Sequence, residues 1–241
     1  MSGSVAEWVR YIDSPYISED KRTMLFDQGN WPMALDIIAE IWQTIGVEKM
    51  EAFNLIWSYW IGSEKSGFNN GMRAMVINGS WQPGVSKGTM KGQSWEVGYD
   101  WTPSTSGKNF VTFSGSHNLV IPKSCKIPEE AFRFIRFAMS LEANIIEWKV
   151  RGAFLWSKPF AAQADFSGYL GLDFFMSMPE SADRVFSPIE FATPIAGELN
   201  KLWVRAREEV MYDQKSAKQA LQDINIELQK ALDRYYESAE G

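Results

Sequence analysis

The run "SAKQALQDINIELQKALDRY", Ser216 to Tyr235, constrains the fold more than any other stretch of the 241 residues. Leu221, Ile224, Leu228, Leu232 and Tyr235 recur at spacings of three and four, which puts them on one face of an α-helix. Ser216, with Gln219 three residues on, supplies a capping box at its start. An apolar stripe of this length has to be covered, so the chain needs other elements with matching faces. Phe26 to Val47, "FDQGNWPMALDIIAEIWQTIGV", provides one. There Asn30 is the expected N-cap, Pro32 suits the first turn, Leu35, Ile38, Trp42 and Ile45 form the apolar face, and Gly46 ends the helix.

Further elements follow the same logic. Pro128-Glu129-Glu130 opens a helix with Ala131, Phe134, Ile135 and Ala138 on its face, and its acids suit the positive end of the helix dipole. Ser140-Leu141-Glu142 starts another, running to about Val150 and ended by Gly152. Glu51 to Phe68 is rich in aromatics, including Trp57, Tyr59 and Trp60, and reads as helix–loop–helix. Strand candidates are few and short. Ala74 to Ile77 is a uniformly apolar run of buried-strand type. Trp95 to Pro103 alternates, with Val97 and Tyr99 to one side and Glu96, Gly98 and Asp100 to the other. Phe110 to Phe113 and Asn118 to Ile121 read as strands joined at Ser114-Gly115-Ser116. Gln82 to Gln93 reads as an exposed loop, and the region from Gly152 to about Pro194 as loop-rich. The C-terminus is helical twice. The pattern is α/β, with many helices and a few short strands.

Composition removes several functions. The formal net charge is −6, with no Lys/Arg cluster, which argues against nucleic acid and against an anionic membrane surface as partner. The single cysteine, Cys125, excludes an intrachain disulfide and a thiolate metal site, and is expected to be a small buried hydrophobe. The single histidine, His117, excludes a multi-histidine zinc site. No phosphate-binding loop, dinucleotide fingerprint or serine-hydrolase elbow occurs. No window approaches the roughly 18 apolar residues of a membrane span, and no signal peptide is visible. Most carboxylates sit on helices as solvated groups; Glu96 and Asp100, on one strand face, are the pair a two-carboxylate hydrolase would use.

One positive signal remains. The sequence has eleven tryptophans. Several aromatics stand beside small polar residues at turns and strand ends: Asn78, Ser80 and Trp81; Trp101; Ser114, Ser116 and His117; Trp156. A sugar needs this mixture, because its C–H face packs on an aromatic ring while its hydroxyls want short, fixed donors and acceptors.

The segment "FNNGMRAMVINGSW", Phe68 to Trp81, resembles the F-x-x-G-x-x-A-M-x-x-x-G-x-W segment of extracellular solute-binding proteins of carbohydrate ABC importers, the group that includes maltose-binding protein. "WEVGYDWTPSTSGKNFVTFSGSHNLVIPKSCKIPEEAFRFIRFAMSLEANIIEW" and "SAKQALQDINIELQKAL" are similar to segments that follow in that family, in the same order. The resemblance implies an incomplete type II periplasmic-binding-protein-like α/β fold, matching the C-terminal portion of proteins of about 400 residues. Residues 1–110 would form the first part of the C-terminal lobe. Residues 111–160 would form the hinge and a returning piece of the N-terminal lobe, and 161–241 the C-terminal-lobe helices.

The same resemblance implies a function: an oligosaccharide bound in an interlobe cleft and handed to an ABC permease, with no catalysis and no cofactor. Trp81 matches the family's stacking tryptophan, with Ser80 where proline is commoner, and Asn78 belongs to the same turn. Gly115, Ser116 and His117 match the hinge turn that lines the cleft. Trp156 falls in the family's segment after the helix pair, where Leu155 replaces a proline. Trp60 and Trp203 lie near segments that contribute aromatics. The location implied is periplasmic or extracellular, with membrane association through an N-terminal signal or lipid anchor outside this sequence. Two alternatives stand beside it: a carbohydrate-active hydrolase using Glu96 and Asp100, and a fragment that dimerises through surface left exposed by a missing lobe.

Overall fold

A computed structural model describes residues 8, 11–89, 96–112, 119–151, 158–166, 169, 171–186 and 192–240. Its elements, in chain order, are α1 (Trp31–Ile45), α2 (Val47–Ile56), α3 (Gln82–Thr89), β1 (Phe110–Thr112), α4 (Pro128–Ala138), α5 (Leu141–Arg151), α6 (Lys158–Gln163), α7 (Leu172–Ser181), β2 (Arg184–Phe186), α8 (Ala196–Met211) and α9 (Ala217–Glu240). The contacts divide the chain into two compact units. Unit 1 comprises Met1–Phe53, Trp101–Gly115 and Pro179–Gly241; unit 2 comprises Asn54–Asp100 and Ser116–Met178.

Unit 1 is built on the two stripes read from the sequence. Helices α1, α8 and α9 pack on one another. Leu221, Ile224, Leu228 and Leu232 are fully buried, as are Leu35 and Ile38 within 2%. The stripes end sooner than their spacing suggests. Ile45 is 49% exposed and Tyr235 44%, and it is the neighbouring Val47 and Tyr236 that pack against the core instead. Ser216 caps α9 as expected, its Oγ accepting the Gln219 amide at 3.2 Å. Asn30 precedes α1 but makes no side-chain cap bond to it. Its amide Nδ2 donates instead to the Ile12 carbonyl at 2.8 Å, tying the helix start to the preceding segment.

Polar residues of α9 complete this core. Gln229 Oε1 accepts the Met24 amide at 2.8 Å and Asn225 Oδ1 accepts that of Phe26 at 2.9 Å. Gln229 Nε2 donates back to the Arg22 carbonyl at 2.9 Å. The segment before α1 is thereby held on α9 with its backbone groups satisfied, which is what burying Met24 and Phe26 requires. At the other end, Gln43 Nε2 donates to the carbonyls of Val210 and Met211, both at 3.2 Å, and to Asp213 Oδ1 at 3.0 Å. It caps the C-terminus of α8 from α1, meeting carbonyls that have no intrahelical donor. The sheet is a parallel pair, β1 with β2, register Phe110 opposite Arg184.

Among the described residues, unit 2 buries fewer apolar side chains than unit 1. Its buried cluster is Trp148, Phe160 and Leu172, bordered by Phe166 and Tyr169. Trp148 lies 4.3 Å from Tyr169 between ring centroids, and its indole N–H donates to the Asp165 carbonyl at 3.0 Å. Helix α4 forms where Pro128 and its acids predict, yet it buries no residue, and Phe134 is 62% exposed. Periodicity identifies the apolar face of a helix but not whether anything covers it. Helix α5 starts as expected, with Ser140 Oγ accepting the Ala143 amide at 3.2 Å.

Several strand and loop expectations are corrected. Ala74 to Ile77 is not a buried strand: it is irregular, and Met75 is 84% exposed. Four apolar residues without a pairing partner cannot hold a ladder. Leu119 to Ile121 is likewise irregular, with Val120 79% exposed. Gln82 to Thr89, expected as loop, is α3, with Pro83 in its first turn, where a missing amide costs nothing. The second helix expected before Phe68 is a turn-rich loop, and the region after 152 contains α6, α7 and β2. Glu96 to Asp100 alternates in burial as predicted but pairs with no strand among the described residues. Cys125 is half-buried rather than buried.

Candidate functional site

The eleven tryptophans separate by environment. Trp8, Trp31, Trp42, Trp148 and Trp203 are at most 8% exposed. Trp203 on α8 stands 5.6 Å from Trp31, edge to face, and 6.1 Å from Phe26. At 2% exposed it has no face to offer a ligand, so its assignment as a contact is corrected to a core residue. Trp60 and Trp81, at 56% and 37% exposed, are the reverse case. Gly115, Ser116, His117 and Trp156, with Trp95, lie outside the described residues.

Trp60 and Trp81 both belong to unit 2. Trp60 sits on a loop after α2 that is closed by its own backbone. The Ser58 amide donates to the Lys65 carbonyl at 2.7 Å and the Gly67 amide to the Ser58 carbonyl at 3.0 Å. Buried Asn69 fills the loop, its Nδ2 donating to the Ile61 carbonyl. The Met72 and Arg73 amides both donate to the Gly67 carbonyl, at 2.8 and 2.9 Å. Loops closed on themselves in this way present surface residues at fixed positions.

Trp81 follows the turn Asn78-Gly79-Ser80. Asn78 Oδ1 accepts the Gly79 amide at 3.0 Å, and its Nδ2 donates to Gln82 Oε1 at 2.7 Å. Gln82 is itself only 2% exposed. The Asn78 amide is thus committed to shaping the turn, which is the usual use of Asn at such a position. The Gln82 amide donates to the Gly79 carbonyl at 2.9 Å and starts α3 directly behind the tryptophan.

Each exposed ring lies over a glycine. A Cβ on Gly62 would stand 2.6 Å from Trp60 Nε1, and a Cβ on Gly79 would run into Cζ3 and Cη2 of Trp81. Only glycine leaves the backbone low enough for an indole to lie there. The outcome is a ring supported from below by main chain yet open to solvent. Tyr59 links the two segments: its hydroxyl donates to the Ile77 carbonyl at 2.7 Å, one residue before Asn78.

The arrangement offers apolar platforms with a polar border, suited to holding a neutral amphipathic solute. Glu96 and Asp100 are both exposed, and no group of three His, Cys, Asp or Glu suited to a metal occurs among the described residues.

The family model described as "Bacterial extracellular solute-binding protein" matches residues 3–166, more than half of the chain and all of the Trp60 and Trp81 segments. The chain belongs to the bacterial extracellular solute-binding proteins. No curated protein and no solved structure matches it. Family membership assigns it to solute binding for transport at a periplasmic or extracellular location. The helices with a small sheet fit a periplasmic-binding-like fold. No helix among the described residues is long and apolar enough to cross a membrane.

The sequence pointed to Trp81 and Trp60 as ligand contacts, and the structure brings both into unit 2 on segments joined by a hydrogen bond. Tyr59 was visible only as one aromatic of a cluster. Its role depends on a contact 18 residues away, which no local pattern encodes.

Proposed function

We propose that this solute-binding protein takes a carbohydrate, an oligosaccharide rather than a single hexose, and delivers it to an ABC permease. The observation that carries the reading is the Trp81 ring, seated over Gly79 and 37% exposed at the end of a hydrogen-bonded turn. A pyranose face stacked on such a ring gains about 1 kcal/mol beyond area burial. Trp60, similarly seated over Gly62, supports a second sugar contact and hence an extended ligand. Neutral hydroxyls also suit a chain of net charge −6 better than an anionic ligand does.

In this reading the binder follows the type II, two-lobe plan that the sequence resembles. Ligand-driven closure is the state its permease recognises. Gly115, Ser116 and His117 contribute polar contacts from the hinge turn and Trp156 a further aromatic, and an N-terminal signal or lipid anchor associates the protein with the membrane. The test is tryptophan fluorescence during titration with a panel of neutral tetrasaccharides: β-1,4-glucose, α-1,4-glucose and β-1,4-xylose oligomers. Saturable quenching by at least one is expected. A response to a peptide or polyamine, with none to any sugar, refutes the carbohydrate assignment.

A further inference from the structure

Two segments carry the exposed tryptophans, and one side chain joins them. The Tyr59 hydroxyl donates to the Ile77 carbonyl at 2.7 Å. Ile77 is followed at once by the Asn78-Gly79-Ser80 turn and Trp81. On the other side, Tyr59 is the residue before Trp60 in the loop closed by Ser58, Lys65 and Gly67. The loop is tied together by its own backbone bonds. The segment from Ala74 to Ile77 forms no strand and makes no ladder bonds, so it has little internal means of fixing where the turn stands.

The phenol itself is held. The Arg73 guanidinium lies 5.1 Å from the Tyr59 ring centroid, within cation–π reach. Arg73 Nη2 in turn donates to Asn54 Oδ1 at 2.9 Å. Asn54 is on α2, so a continuous line of contacts runs from a helix through Arg73 and Tyr59 to the carbonyl that precedes the Trp81 turn. Each link is a directional contact, and the last is made to backbone. Such a contact moves a whole turn rather than one side chain.

We propose that Tyr59 is a positioning residue for the solute site: by holding the Ile77 carbonyl it fixes the turn that carries Trp81 relative to the loop that carries Trp60. This rests on the carbohydrate reading for its effect on binding, but not for its effect on the ring. Tyr59→Phe removes only the hydroxyl and keeps the ring under Arg73. Losing one hydrogen bond in a pre-organised site weakens binding about five-fold.

The experiment uses the full chain labelled with 5-fluorotryptophan, with the Trp60 and Trp81 ¹⁹F resonances assigned from Trp60→Phe and Trp81→Phe. Tyr59→Phe is expected to shift or broaden the Trp81 signal without sugar. The Trp31 and Trp203 signals and the urea unfolding midpoint should stay unchanged, which separates positioning from general destabilisation. Tetrasaccharide affinity should fall about five-fold. An unmoved Trp81 signal in Tyr59→Phe overturns the proposal whatever the sugar result. If the wild type binds no tetrasaccharide, the carbohydrate reading fails, while the ligand-free spectrum still decides the role of Tyr59.

Discussion

Trp31 and Trp203 in unit 1 and Trp60 and Trp81 in unit 2 are the same residue put to opposite uses. The Trp31 indole is fully buried, with its N–H given to the Pro15 carbonyl at 3.0 Å. It sits among Phe26, Tyr16 and Trp203 at ring distances of 4.8 to 6.3 Å. Trp203, 2% exposed, finds no partner for its indole N–H among the described residues. Trp60 and Trp81 instead have a glycine beneath them and solvent above. A ring surrounded by side chains stabilises the fold. A ring seated on a glycine and partly open to solvent leaves its exposed area available to a ligand. Spacing alone does not separate the two uses, since Gly29 also stands two residues before Trp31. What separates them is that the ring lies on the glycine, Gly62 under Trp60 and Gly79 under Trp81, whereas a Cβ on Gly29 would meet Ser14 instead.

The largest effect is expected on the buried side. Trp31→Ala empties the centre of the unit 1 core and should cost about 3–5 kcal/mol, read as a lower urea midpoint by far-UV circular dichroism. A loss below 1 kcal/mol would mean that the ring is not the keystone its contacts suggest.

A second effect of the same core is its alkaline sensitivity. Burial pushes the Tyr16 phenol up to about 12 from 10.0. The folded state then keeps a proton that the unfolded state gives up, so this contribution is full below pH 10 and is lost as pH rises from 10 through about 12. The loss is on the order of 2 kcal/mol. Tyr16→Phe should flatten that part of the stability–pH curve.

On the exposed side the effects move from stability to affinity. Trp81→Ala should cost about 1 kcal/mol of stability, well below Trp31→Ala, and weaken tetrasaccharide binding about ten-fold, measured by isothermal titration calorimetry. Gly79→Ala makes the smallest change. It displaces the Trp81 ring without removing it, and a loss of roughly three-fold in affinity is expected, with stability nearly unaffected. Equal losses from Gly79→Ala and Trp81→Ala would show that the seat matters as much as the ring.

The unit 1 helices were readable because their stripes are long, although of the expected N-caps only Ser216 bonds its helix as the sequence suggests. Leu221 to Leu232 could be placed inside from spacing alone. Asn225 and Gln229 could not, since their role is to hold a segment 199 to 205 residues away. Ala74 to Ile77 misled because a short apolar run says nothing about whether a partner strand exists. Gln82 to Thr89 misled because proline and glycine read as loop, although a proline in a first turn favours a helix. At the candidate site, Trp81 stood out by its turn and its family resemblance. The ring's seat on Gly79 and the Tyr59 bond to Ile77 were hidden, because one is a rotamer choice and the other a tertiary contact. Trp203 shows the converse: its sequence position suggested a ligand contact, and only packing reveals it as core.

The most direct test of the division between the two pairs is the ¹⁹F spectrum of the 5-fluorotryptophan-labelled wild type, recorded before and after addition of the best-bound tetrasaccharide. Resonances of Trp81 and Trp60 should move on binding, while those of Trp31 and Trp203 hold their positions. Movement of Trp31 or Trp203 with Trp81 unchanged would contradict the account.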